Sequence, residues 1–309
     1  MLSRVAEHLY WLARYVERAE ATARLTIAAS DTILDLPDGV LYDWKTLMQV
    51  FGSGDTETGI AEAEVIEQLV LSLEHSGSIR ASIAAARENA RVTRDLIPKD
   101  AWVALNELHG LIERQSFADF DRSSRIRLLK QVISSCRLWH GCIMASQARD
   151  LSYLFLRLGD RVEHVDMVSR LVDPRVTQMV PGASSRWSGY EAIGWQNLLS
   201  ALGGVELYRH SARNRIRGSD VLDFVLRNPE FPQSMASALA RVRSFLDQLP
   251  HQRVSTDLVD VIAEGLTQLD LQHLNPDALT QSMDWIQQGL GSLHEHISSE
   301  YFFFQANQA

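Results

Sequence analysis

Apolar residues recur every three or four positions along most of this chain, the spacing that turns one face of an α-helix toward a core. The opening segment shows it most clearly: Val5, Leu9, Leu12, Val16, Ala19 and Ala23 form one stripe. Ser3 stands as its N-cap and Pro37-Asp38-Gly39 as its stop, so a helix of roughly thirty residues is predicted. The same periodicity predicts helices over 41–51, 60–73, 77–96, 99–115, 121–146, 148–173, 190–213, 219–227, 233–248, 255–270 and 277–305. Alternating strand patterns are few and prolines number only eight, so the expected fold class is all-α, a multi-helix bundle. The longest predicted loop runs from Asp173-Pro174 to Ser188 and contains Pro181-Gly182.

Three segments recur in order. Leu12-Ala-Arg-Tyr-Val-Glu17-Arg-Ala-Glu20-Ala-Thr-Ala-Arg24-Leu25 lies without a gap over Leu158-Gly-Asp-Arg-Val-Glu163-His-Val-Asp166-Met-Val-Ser-Arg170-Leu171. Trp44 to Gly52 matches Trp195 to Gly203, and Ser78 to Arg87 matches Ser234 to Arg243. The offsets grow slowly, from 146 through 151 to 156. Single matches of this kind are weak, because Leu and Ala are common in helices; three collinear ones predict a duplication. The expectation is two related halves of about five helices each, 1–147 and 148–309, packed as one globule.

The duplicated segment carries charge beside its apolar stripe. At about 100° per residue, Glu17, Glu20 and Arg24 share one strip, and Glu163, Asp166 and Arg170 share the equivalent one. Arg18 points away from that strip, and its counterpart is His164. A structural reading is that Glu20 and Arg24, at i and i+4, brace the helix or bridge to a neighbour. The functional readings are three: a divalent metal between carboxylates of two helices, recognition of a peptide or amino-acid group, or general acid/base work. The Glu-x-x-His motifs of di-iron bundles are missing, so no metal is expected. A second constellation is Arg87-Glu88-Asn89-Ala90-Arg91-Val92-Thr93-Arg94, where Arg87, Arg91 and Arg94 form a ridge suited to carboxylate or phosphate. Its bland alternative is a solvated face braced by Glu88 and Asp95.

Composition narrows the classes. The formal net charge of -9 disfavours a nucleic-acid backbone as partner. No window approaches the apolar length of a membrane span, and the N-terminus lacks the apolar core of a signal peptide. Cys136 and Cys142 lie on different sides of one predicted helix and are expected to be reduced, which fits the cytoplasm. Cys136 and His140 share a face, yet two ligands make no metal site. No Gly-rich phosphate loop, nucleophile elbow or CxxC pair occurs, and no cofactor is expected.

Taken together, MLSRVAEHLYWLARYVERAEATARL, the RENARVTRD segment followed by Trp102, and YLFLRLGDRVEHVDMVSRLVD resemble the bacterial alpha-E proteins, helical proteins with a Glu-Arg motif. The motif falls on Glu17-Arg18, followed by Glu20 and Arg24. The second copy departs from the family's pattern at His164, and the later Pro-Arg-Ser element reads Pro232-Gln233-Ser234. The resemblance implies a setting beside an ATP-grasp amide ligase and a transglutaminase-like protease. The expected role is therefore an accessory or binding protein holding such a ligase or its peptide substrate. The alternative is an enzyme acting on an aminoacyl or peptide intermediate through Glu17, Glu20 and the arginine ridge.

Overall fold

A computed structural model describes residues 3–35, 44, 47–48, 51, 61–116, 121–173, 191–211, 216–250, 253–273 and 276–302 of the chain. Twelve α-helices account for nearly all of them, and no strand occurs among the described residues. In chain order they are α1 (Ser3–Asp35), α2 (Glu62–Leu71), α3 (Ile79–Val92), α4 (Lys99–Glu113), α5 (Arg122–Ser146) and α6 (Leu151–Val172). There follow α7 (Glu191–Ala201), α8 (Val205–Ser211), α9 (Gly218–Arg227), α10 (Met235–Leu246), α11 (Arg253–Gln268) and α12 (Pro276–Tyr301). The predicted loop from 174 to 188 and most of the predicted helix over 41–51 lie outside the described residues. No described helix is long and apolar enough to cross a membrane.

The long first helix forms as its stripe predicts, with Leu9, Leu12, Val16, Ala19 and Ala23 fully buried. Ser3 is already helical rather than a cap. Two other predicted helices are interrupted. The one over 77–96 ends at Val92, where the Thr93 hydroxyl bonds back to the Asn89 carbonyl (2.9 Å) and a 3-10 turn, Arg94–Leu96, follows. The one over 190–213 breaks into α7 and α8 at Gly203, whose φ of 66° is the left-handed conformation glycine tolerates best. The Gly204 N–H then donates to Leu199 O (2.7 Å) and closes the end of α7.

α1 and α6 run through the centre and pack on each other. They meet so closely that a β-carbon added at Gly159 would stand 2.1 Å from the Tyr10 carbonyl oxygen. Around α1, successive contacts link α3, α4 and α5 back to α1; around α6, they link α10, α11 and α12 back to α6. Ser78 and Ser234 open α3 and α10 alike. Each side chain accepts from the N–H three residues on, at 3.0 and 3.1 Å, and donates to the carbonyl six residues back, Ser72 and Asn228. α6 is buried almost all round, and Arg157, Asp160, Arg161, Glu163 and His164 are buried with it. Charges removed from water in this way require partners.

Candidate functional site

Those partners come from α1 by a reciprocal exchange. Glu163, with no exposed surface, accepts from Arg14 Nε (2.6 Å), Arg18 Nε (2.6 Å) and Arg18 Nη2 (3.2 Å). Burial opposes its ionisation, but the Arg14 and Arg18 guanidinium groups outweigh that and hold its carboxyl down at about 2. Arg14 in turn lies over the Trp11 ring at 4.7 Å. In the other direction, Glu17 Oε1 meets His164 Nδ1 at 2.7 Å, and His164 Nε2 meets the Gln233 carbonyl at 2.9 Å. Burial raises the Glu17 carboxyl, yet the hydrogen bond and charge of His164 bring it below the usual glutamate range. His164 thus bridges the Glu17 carboxylate and the Gln233 carbonyl.

On the Glu17 side of the crossing lies a cavity of about 330 Å³. α1 contributes Glu17, Glu20 and Arg24; α5 contributes Arg137 and His140; α6 contributes Arg157, Arg161 and His164; α10 contributes Arg241. Met144, Met167, Val168, Leu171 and Leu202 supply apolar wall. Behind the wall Asp160 is almost wholly buried and accepts from Arg157 Nη1 (2.6 Å) and from Arg161 Nε (3.0 Å) and Nη2 (2.9 Å). Burial raises its pKa, but Arg161 and Arg157 together drive it far below the normal aspartate range. Arg241, exposed at the mouth, has its pKa lowered by partial burial and by the neighbouring Arg161 and Arg157. Cationic side chains thus outnumber carboxylates around the cavity, which favours anionic groups inside it.

His140 is the least satisfied member. Its Nε2 is buried without a hydrogen-bond partner, 3.7 Å from Glu17 Oε2 and 3.9 Å from Asp160 Oδ1. One ligand atom each from Glu17, His140 and Asp160 lies within 4.8 Å of the others, a composition that can hold a metal ion. Against a divalent cation stand Arg157 and Arg161, whose guanidinium groups already neutralise Asp160 and would repel it. No serine, threonine, cysteine or lysine is among the described residues lining the cavity. Cys136 lies near it but is buried, and that burial, with Glu20 and Glu17 adding to it, pushes its thiol well above its usual pKa. Such a thiol is a poor nucleophile.

The residues singled out from the sequence divide into three groups. Glu17, Glu20 and Arg24 line the cavity, with Glu20 Oε1 accepting from Arg24 Nε (2.8 Å) and Nη2 (2.6 Å). Partly exposed Arg18 and buried Glu163 pair at the helix crossing, and Asp166 pairs with Arg170 at 3.0 Å. None of these four lines the cavity. The arginine ridge of α3 does not reach it either. Arg91 makes an exposed pair with Glu88 (2.6 Å). Asn89 bonds His8 (2.7 Å), Arg87 bonds Asn106 (2.7 Å), and Arg87 and Arg94 both lie over the Trp102 ring.

Sequence reasoning missed Arg157, Asp160 and Arg161 as a unit, although Asp160 and Arg161 stand inside the duplicated segment. Arg137 and Arg241 carried no signal, since each reaches the cavity from a separate helix.

Residues 1–302 match the profile of Alpha-E, described as a predicted alpha-helical domain with a conserved ER motif. An uncharacterized protein of Mycobacterium bovis is 24% identical over 315 residues, covering 94% of this chain and 34% of that protein. An uncharacterized protein of Mycobacterium tuberculosis is 23% identical with the same coverage. The chain therefore spans about a third of the length of these relatives. No solved structure matches it at a significant level.

Proposed function

The chain belongs to the Alpha-E family, and on that premise we propose that it is a binding module that works with an ATP-grasp amide ligase and presents an anionic peptide or amino-acid group to it. The observation that carries this reading is the cavity between α1, α5, α6 and α10, where five arginines converge and no serine, threonine, cysteine or lysine is among the described lining residues. Fixed guanidinium groups suit carboxylates, whose two oxygens match their planar fork. A transglutaminase-like protease is a second proposed partner, with the cytoplasm as the shared compartment. Both partners are proposed from the family resemblance of the Glu17-Arg18 motif and its flanking segments.

Co-expression with the ligase and size-exclusion chromatography test the role. Co-elution, with ligase turnover that rises when this chain is added, is the expected result. Separate elution with unchanged turnover would refute it. An enzymatic reading has one observation in its favour, the unpartnered His140 Nε2 beside Glu17 Oε2. On that reading purified protein turns over a peptide intermediate alone, and Glu17→Gln abolishes turnover while the helices persist.

We also propose that 1–147 and 148–309 descend from one duplicated unit. The matching order of contacts around α1 and α6, the twin serine caps and the reciprocal pairs Glu17–His164 and Glu163–Arg18 support it.

A further inference from the structure

We infer that the cavity is shaped for a free α-amino acid with an apolar side chain, held at both its charged ends. This rests on the binding reading above and names its ligand class. The argument comes from groups around the cavity that lack partners; three of them, Arg157 Nε, His140 Nε2 and Gln233 Oε1, are buried, where polar atoms in folded proteins are nearly all satisfied.

Donors are unmatched on one side. Arg157 is buried and binds Asp160 through Nη1, yet its Nε has no acceptor. His140 Nε2 has no partner. Arg241 makes no ion pair among the described residues, although two other arginines stand close enough to lower its pKa. Acceptors are unmatched as well. Gln233 Oε1 is buried without a donor. Among the described residues both hydrogen bonds to Glu20 fall on Oε1, and none falls on Oε2. Glu17 Oε2 stands 3.7 Å from His140 Nε2 and 3.9 Å from Arg161 Nη2, both beyond hydrogen-bond reach.

A phosphate or sulfate would satisfy the donors only, and its charge would sit beside the carboxylates of Glu17 and Glu20. A metal ion would satisfy the acceptors only, beside five arginines. A zwitterion meets both sets at once: its carboxylate with Arg157, Arg241 and His140, its ammonium with Glu17, Glu20 and Gln233. Met167, Val168, Leu171 and Leu202 then offer a surface for an apolar side chain. Ligand pockets of this mixed kind, apolar walls with a few placed polar groups, are the common form.

Isothermal titration of the full chain with L-leucine and L-methionine tests the inference, using N-acetyl-L-leucine, L-leucinamide and inorganic phosphate as comparators. At least one free amino acid is expected to bind, and each capped derivative to bind at least tenfold more weakly. Arg241→Ala, at an exposed position, is expected to keep the native circular dichroism and to weaken amino-acid binding at least tenfold. The same variant should leave leucinamide binding unchanged. Equal binding of N-acetyl-L-leucine and L-leucine would remove the ammonium pole, while leaving the anion-binding module standing. Phosphate binding tighter than either amino acid would make this an anion site and overturn the inference. Absence of heat with every amino acid would overturn it too, and ligase co-elution then judges the wider role separately.

Discussion

Glu163→Gln is the most informative single change, because Glu163 joins both central helices. The wild-type carboxylate, wholly buried, is the counter-ion of Arg14 and Arg18 at 2.6 Å each. A glutamine offers one acceptor oxygen instead of two and turns an amide NH2 toward a guanidinium. Removing one partner of a buried ion pair costs about 3–5 kcal/mol. The carboxyl's fall from an ordinary 4.5 to about 2 supplies a separate measure, and it corresponds to about 3 kcal/mol. Arg18 keeps 18% of its side chain exposed and can turn toward water, which favours the lower figure.

The pH dependence has a defined sign. Because the folded pKa lies below the unfolded one, the stabilisation is complete above about 4.5 and fades as pH falls toward about 2. Urea unfolding of wild type and Glu163→Gln across that range is the assay. A difference of about 3 kcal/mol at pH 7 that shrinks below pH 4.5 is expected. A difference under about 1 kcal/mol, or one independent of pH, would refute the buried-pair account.

Three further outcomes follow from the packing. Gly159→Ala should destabilise by about 3 kcal/mol or more, because its β-carbon would stand 2.1 Å from the Tyr10 carbonyl oxygen on another backbone. Thermal unfolding reads this, and an unchanged midpoint would mean that α1 and α6 can separate at little cost. Ser78→Ala and Ser234→Ala should each cost about 1–2 kcal/mol, by loss of a cap and of a bond to a carbonyl. Being far apart in sequence and without shared partners, the two effects should add, and a double variant checks this by denaturant titration. Cys136, buried with a raised thiol pKa, should resist alkylation at pH 8 in the native protein and react on unfolding. Mass spectrometry of the labelled peptide decides it.

The chain's helical content is legible in its sequence because periodicity reports which face each helix buries. Leu9, Leu12 and Val16 went where their spacing sends them. Interruptions were less legible: Gly203 stands in an otherwise helical stretch, and only its left-handed φ reveals the break. The acidic-arginine strip was visible because its first copy recurs, and Glu17, Glu20 and Arg24 do face one cavity. α6 misleads a reader of patterns. Asp160, Arg161 and Glu163 look like the solvated side of an amphipathic helix, yet α1, α10 and α12 wrap it until all three are buried. That wrapping is tertiary, and no local spacing encodes it. For the same reason Arg137 and Arg241, distant in sequence, join Arg157 only in the folded chain, whereas Arg91 simply pairs with Glu88 in solvent.

The central claim is that the working site lies between α1, α5, α6 and α10, on the Glu17 side of the helix crossing. Amide hydrogen exchange with and without a bound amino acid locates it most directly. Ligand-dependent protection is predicted within 17–24, 137–144, 157–171 and 233–241, with 87–94 unchanged. Protection confined to the ridge of Arg87, Arg91 and Arg94, with the α1–α6 crossing unaffected, would contradict it.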